Sequence, residues 1–154
     1  MQKMNLNVVF DGQSLTGFQF GELPLGAAML VAQQQIDQAA DLARLAVLGE
    51  PLRVVEYNVA AHEARAFADA DYSGEVPPSV QAWVDAAGLS AWEAADDILA
   101  KAAAWKEALY KLRAIRLKGK QDAAKATTHA AIEGIADTAI EAIKASVQGV
   151  GNAA

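Results

Sequence analysis

The longest regular pattern of apolar positions runs through the middle of the chain. Ala95, Ile98, Ala102, Trp105, Leu109 and Leu112 recur at alternating steps of three and four residues, the spacing that lines side chains along one face of a helix. Trp92 and Leu99 widen the stripe. Just ahead of it, Ser90 and Glu93 stand at the S-x-x-E spacing of a capping box. Each side chain can then satisfy one unpaired amide of the first turn, so a helix is predicted to begin at Ala91. Asp96 and Asp97 fall in the opening turns, and Lys106, Lys111, Arg113, Arg116 and Lys118 in the closing ones, the order that the helix dipole favours. Gly119, between two lysines, loosens the pattern, and the alanine-rich residues 121–126 either continue the helix or fray.

Before this helix the periodicity changes twice. Met4, Leu6, Val8 and Phe10 alternate with more polar neighbours, Asp11-Gly12 supplies turn residues, and residues 15–20 alternate again. This predicts a β-hairpin. An isolated hairpin is marginal in water, so it either packs on the helices or adds to another chain's sheet. From residue 25 to 48, Ala28, Val31, Gln35, Ala39, Leu42 and Leu45 keep helical spacing, with Gly49-Glu50-Pro51 as the stop. Gln35 on that stripe is either a register-setting contact between chains or a locally satisfied side chain. A second helix is predicted over residues 52–69, with Val55, Val59, His62, Ala66 and Phe67 inward and Arg53, Glu56, Glu63 and Arg65 mostly outward. Residues 70–78 read as a loop, and Pro78 opens a short helix that ends at Gly88. Trp83 and Val84 are expected to face the core from that short helix.

After a capping signal at Thr127-Thr128, Ile132, Ile135, Ala139, Ile140, Ile143 and Val147 form an isoleucine-rich stripe with Glu133, Asp137, Glu141 and Lys144 outside it. The stripe either folds back on its own domain or associates with other chains. Ile132, Ile135, Ile140, Ile143 and Val147 are the candidate interaction residues. Isoleucine at both kinds of core position favours three or more strands over two, so a homo-oligomer, a trimer before a dimer, is expected. Removing residues 130–154 is then expected to lower the oligomeric order and leave the domain folded. The fold class is mainly α: an N-terminal hairpin (residues 1–22), a helical bundle (23–126) and a C-terminal amphipathic helix with a mobile end (127–154).

Composition narrows the partners. Of the 154 residues 53% are hydrophobic but only 6% aromatic, and the abundance of alanine favours close helix packing over bulky sheet filling. A net charge of -6 repels a phosphate backbone, and the basic residues lie along one helix without aromatics to stack bases, so nucleic acid is not an expected partner. Residues 1–10 are too polar for a signal-peptide core, and the apolar run over residues 23–32 is too short to span a membrane. The expectation is a soluble protein made in a cytoplasm, with no membrane partner.

Candidate chemistry is sparse. The absence of cysteine removes disulfides, thiolate catalysis and cysteine-ligated metals. His62-Glu63 invites a metal reading, but the position four residues on is Ala66, and His129 is distant. Asp69/Asp71 and Asp96/Asp97 are paired only in sequence, since neighbours on a helix diverge and the first pair lies in the loop. The glycines at 17, 21 and 26 do not form a phosphate loop, and Ser14, Ser73 and Ser90 lack a nucleophile signature. Core packing is favoured over a ligand cage for Trp83, Trp92 and Trp105. No catalytic, cofactor or metal residue is assigned.

Four stretches taken together resemble a known group: residues 56–67, from Glu56-Tyr57-Asn58 to Ala66-Phe67; residues 77–88, from Pro77-Pro78 to Gly88; residues 94–105, from Ala94-Ala95-Asp96-Asp97 to Trp105; and Leu112-Arg113-Ala114-Ile115-Arg116. They resemble small helical proteins of tailed bacteriophages associated with tail fibres, baseplates or tail assembly. The hairpin also resembles an N-terminal feature of tail-fibre-associated proteins. The resemblance covers about residues 52–126 and carries no functional residue with it. It implies a structural virion component of the tail tip, baseplate or fibre attachment, made in the bacterial host and bound to other tail or fibre proteins. An assembly chaperone absent from the finished particle is the alternative, and an enzyme acting on cell wall or glycan a more distant one.

Overall fold

Asp11 and Gly12 reverse the chain with φ angles of 49° and 74°. Two successive positive values are the signature of the type I′ turn, whose twist matches that of the strands it joins. Strands β1 (Leu6–Phe10) and β2 (Gln13–Phe18) pair antiparallel on either side. The register slips between Leu6 and Asn7, where Gly17 is the extra residue, at φ 75° and donating its N–H to Asn7 Oδ1 at 3.0 Å. The computed structural model describes residues 1–48 and 51–149. After a short 3-10 turn at Phe20–Glu22 come α1 (Leu25–Leu48), α2 (Pro51–Asp69), α3 (Pro78–Ala87), α4 (Ala91–Lys125) and α5 (His129–Ser146). The chain is mainly α behind an N-terminal hairpin, as the patterning predicts. The predicted stop at Gly49-Glu50 lies outside the described residues.

The chain divides into two units. The first contains residues 1–44 and 110–149. Its core joins Leu6 and Val8 of the hairpin, Phe20, Val31 and Ile36 around α1, Leu112 of α4 and the isoleucines of α5. The inner side of the hairpin therefore packs within the chain. Its outer side carries Val9, which is exposed.

This unit corrects the expectation for the C-terminal helix. Ile132 and Ile143 have no exposed surface, Ile140 retains 8%, and Ile135 and Val147 pack half-buried against the same cluster. The stripe expected to meet other chains is occupied by its own unit, which removes the reason for favouring a trimer. The cause is local. Only residues 126–128 separate α4 from α5, and such a short connection folds an amphipathic helix back on the nearest apolar surface. Thr128 caps the helix by accepting the N–H of Ala131. Gln35 is likewise satisfied within the chain, accepting the N–H of Gln2 at 2.6 Å and donating to its carbonyl at 2.9 Å. His129 Nε2 lies 2.8 Å from the carbonyl of Leu23, its ring edge-on to Phe20.

The glycine at 119 does not end α4, which runs six residues further. A Cβ built there would lie 2.7 Å from Ala139 Cβ and 3.4 Å from Ile36 Cδ1. The missing side chain is what lets α4 approach α5 and α1 so closely. On either side of Gly119, Arg116 and Lys120 of α4 both bond to Asp37 of α1. Partial burial pushes the Asp37 carboxyl up, but the hydrogen bonds from Lys120 and Arg116 outweigh it and hold the group below its usual value. A depressed folded-state pKa stabilises at pH above the unfolded value, near 3.8 for this group, and that stability is lost as pH falls through the folded value. Asp37→Asn is therefore expected to lower stability at neutral pH and to flatten its decline below about pH 4, as read from denaturation midpoints across that range.

The second unit contains, among the described residues, 45–109. Its smaller core is Ala64, Phe67, Val80, Ala94 and Ala95, with Val84, Leu89 and Ile98 half-buried against it. Gly88 ends α3 at φ 68°. The capping box at the start of α4 forms: the N–H of Ser90 bonds to Glu93 at 3.0 Å, and that of Glu93 to Ser90 Oγ at 3.4 Å.

Candidate functional site

Helix α2 packs by the face opposite to the one its larger aliphatic residues suggest. Ala64 and Phe67 are buried and Tyr57, Ala60 and Ala61 half-buried. By contrast Leu52 is 74%, Val55 59% and Val59 48% exposed. His62 and Ala66 continue that outer row and are exposed too. Val55, Val59, His62 and Ala66 thus do not face inward as the spacing predicts; of the predicted inner set only Phe67 is buried. Side chains 52, 55, 59, 62 and 66 follow steps of three and four, the narrow a/d repeat of a seam between two helices. The inner face is chosen because alanines let the backbones of α2, α3 and α4 come close. A valine face would hold them apart.

On the inner side, the small side chains of Ala60, Ala61, Ala82 and Ala102 leave an open cleft of about 500 Å³. Three rings line it: Tyr57 from α2, Trp83 from α3 and Trp105 from α4. Tyr57 and Trp105 meet edge to face with centroids 6.4 Å apart. Trp83 is fixed by two contacts, its Nε1 donating to Asp97 at 2.7 Å and Lys101 Nζ lying 4.1 Å over the ring. Lys101 is itself held by Asp97 at 3.1 Å. Trp105 Nε1 is buried with no hydrogen-bond partner among the described residues. Such a donor forgoes the water bonds it would make if exposed, a cost of about 1–3 kcal/mol. Of the three tryptophans expected in the core, Trp83 packs half-buried against it as expected and also lines this cleft with Trp105, and Trp92 is 53% exposed. The cleft was beyond reach of the periodicity, which places rings on a face without showing that the residues between them are too small to fill it.

Glu63, Asp96 and Asp97 hold contacts within the unit. Glu63 accepts the N–H of Ser79 at 2.9 Å in the first turn of α3, and that bond, joined by one from the Ser79 side chain, holds its carboxyl below the usual range. The Tyr72 hydroxyl bonds Asp96 at 2.5 Å, and this contact pushes the phenol pKa up. Asp96 and Asp97, adjacent in sequence, therefore serve different partners and do not form an acid–base couple. His62 is exposed on α2, and among the described residues no three His, Asp or Glu side chains are grouped to hold a metal ion. No described helix is long and apolar enough to cross a membrane. No protein-family model, curated protein or solved structure matches this chain.

Proposed function

We propose that this chain is a structural subunit of a bacteriophage tail, at the tip, the baseplate or a fibre attachment, working through helical contacts with further copies and with other tail proteins rather than by catalysis. The observation that carries the assembly reading is the outer row of α2, where Leu52, Val55 and Val59 stand exposed at seam spacing. Covering the half to three quarters of these side chains that is exposed is worth about 1–2 kcal/mol each, a large return for a contact one helix wide. The tail setting is supported by the resemblance of residues 52–126 to small helical tail-associated proteins. The contact surface differs from the one first expected, since the isoleucines of α5 are spent inside the chain and α2 takes their place.

Mass spectrometry of purified particles tests the proposal. A structural subunit is expected at a fixed ratio to the other tail proteins. Presence during assembly and absence from finished particles would replace this reading by that of a chaperone.

A further inference from the structure

We propose that the cleft of α2, α3 and α4 is a binding site for an uncharged, planar aromatic molecule that carries a hydrogen-bond acceptor. The site lies on the opposite side of α2 from Leu52, Val55 and Val59, and the inference does not rest on the assembly reading. Its volume of about 500 Å³ is that of a small-molecule pocket, within the usual range of about 300–1,000 Å³. The alanine floor leaves room, and the faces and edges of Tyr57, Trp83 and Trp105 suit a flat ring better than a flexible aliphatic chain.

Charge and hydrogen bonding narrow the class further. The charged side chains lining the cleft are Glu56, Lys101 and Lys106, and Lys101 is already held by Asp97. With Asp97 counted beside the Lys101 that it holds, the cations and carboxylates here are equal in number, and an ionic ligand would bring an unbalanced charge into an apolar site. A donor nonetheless remains. A lysine ammonium has three N–H bonds, so Lys101, which lines the cleft, can serve a further acceptor beside Asp97. A neutral ring with a carbonyl or amide oxygen suits both the aromatic walls and this donor.

The test uses the intact chain, with naphthalene-1-carboxamide as the neutral probe and naphthalene-1-carboxylate as its charged counterpart. Each is titrated while amide proton–nitrogen correlation spectra are recorded. The amide is expected to give saturable shifts at Ala60, Ala61, Ala82 and the indole N–H groups of Trp83 and Trp105. For a ligand of this size the dissociation constant is expected to be on the order of 0.1 mM. The carboxylate is expected to bind roughly fivefold more weakly, the scale of one partly exposed charge interaction. Ala102→Phe, which fills the cleft, is expected to abolish the shifts while the circular dichroism stays helical. Lys101→Met, which removes the ammonium donor, is expected to weaken the amide by about fivefold. No saturable shift at millimolar amide, shifts centred elsewhere, or a carboxylate that binds as well as the amide would overturn the proposal.

Discussion

Replacing Ile132 with alanine is expected to destabilise the first unit by about 2–5 kcal/mol, as judged from urea denaturation midpoints. Ile132 has no exposed surface and packs in one cluster with Ile36, Leu112 and Ile143. The substitution therefore removes apolar contacts and leaves a void that its helical neighbours cannot close. Removing α5 altogether is expected to be worse. The stripe of Ile132, Ile140 and Ile143 would be lost, and the core faces of α1 and of the later part of α4 laid open. A chain lacking residues 129–149 should thus be recovered unfolded or aggregated, the reverse of what the sequence pattern leads one to expect from removing a self-association helix. A truncated chain with native helicity and a cooperative transition would show that α5 is dispensable to the core.

Gly119→Val is expected to have the second largest effect, about 1–3 kcal/mol of destabilisation from overpacking. In an exposed helix interior, replacing glycine generally stabilises, with about 1 kcal/mol gained for alanine. Here the gain is reversed because the first added carbon would already lie 2.7 Å from Ala139 Cβ. Even Gly119→Ala is expected to lower the melting temperature, and Ala139→Gly in the same chain to recover part of the loss. A rise in melting temperature for Gly119→Ala would mean that α4 and α5 are further apart than described.

The order and extent of the elements were legible from local rules. Asp11-Gly12, Pro78, Gly88, Ser90 with Glu93 and Thr128 each fix a turn or a cap by short-range chemistry, and the structure uses each of them. The buried faces of α4 and α5 were legible too, in Ala95, Leu112, Ile132 and Ile143; what could not be read was the buried face of α2 and of the later part of α1. In α1 Ala28 and Val31 are buried as the spacing predicts, but further along Leu42 and Leu45 are exposed and the buried residues are Ile36, Ala40, Ala43 and Val47, about a quarter turn away. In α2 the valines suggest the face that is in fact exposed. Both helices bury alanine-rich faces, because interhelix distance is set by the smallest side chains. Hydrophobicity scales rank those residues below valine and leucine. The same substitution of small for large explains the cleft: Tyr57, Trp83 and Trp105 are legible as packing residues, but the space between them depends on Ala60, Ala61 and Ala102 lying together, which is a tertiary fact. Gly119 is the sharpest case, since a glycine in mid-helix reads as a weakness and is instead where α4 comes up against Ala139 and Ile36.

The claim on which the account turns is that α2 offers its outer row to another polypeptide. Light scattering coupled to size exclusion, on the wild type and on Val55→Asp/Val59→Asp, tests it most directly. Both valines are exposed, so the double variant should keep its helicity and melting temperature. The account predicts a wild-type mass that rises with concentration above the 16.2 kDa of a single chain, and a double variant that stays at 16.2 kDa throughout. A wild type that elutes as a single chain at every concentration, or a double variant that associates as the wild type does, would contradict it.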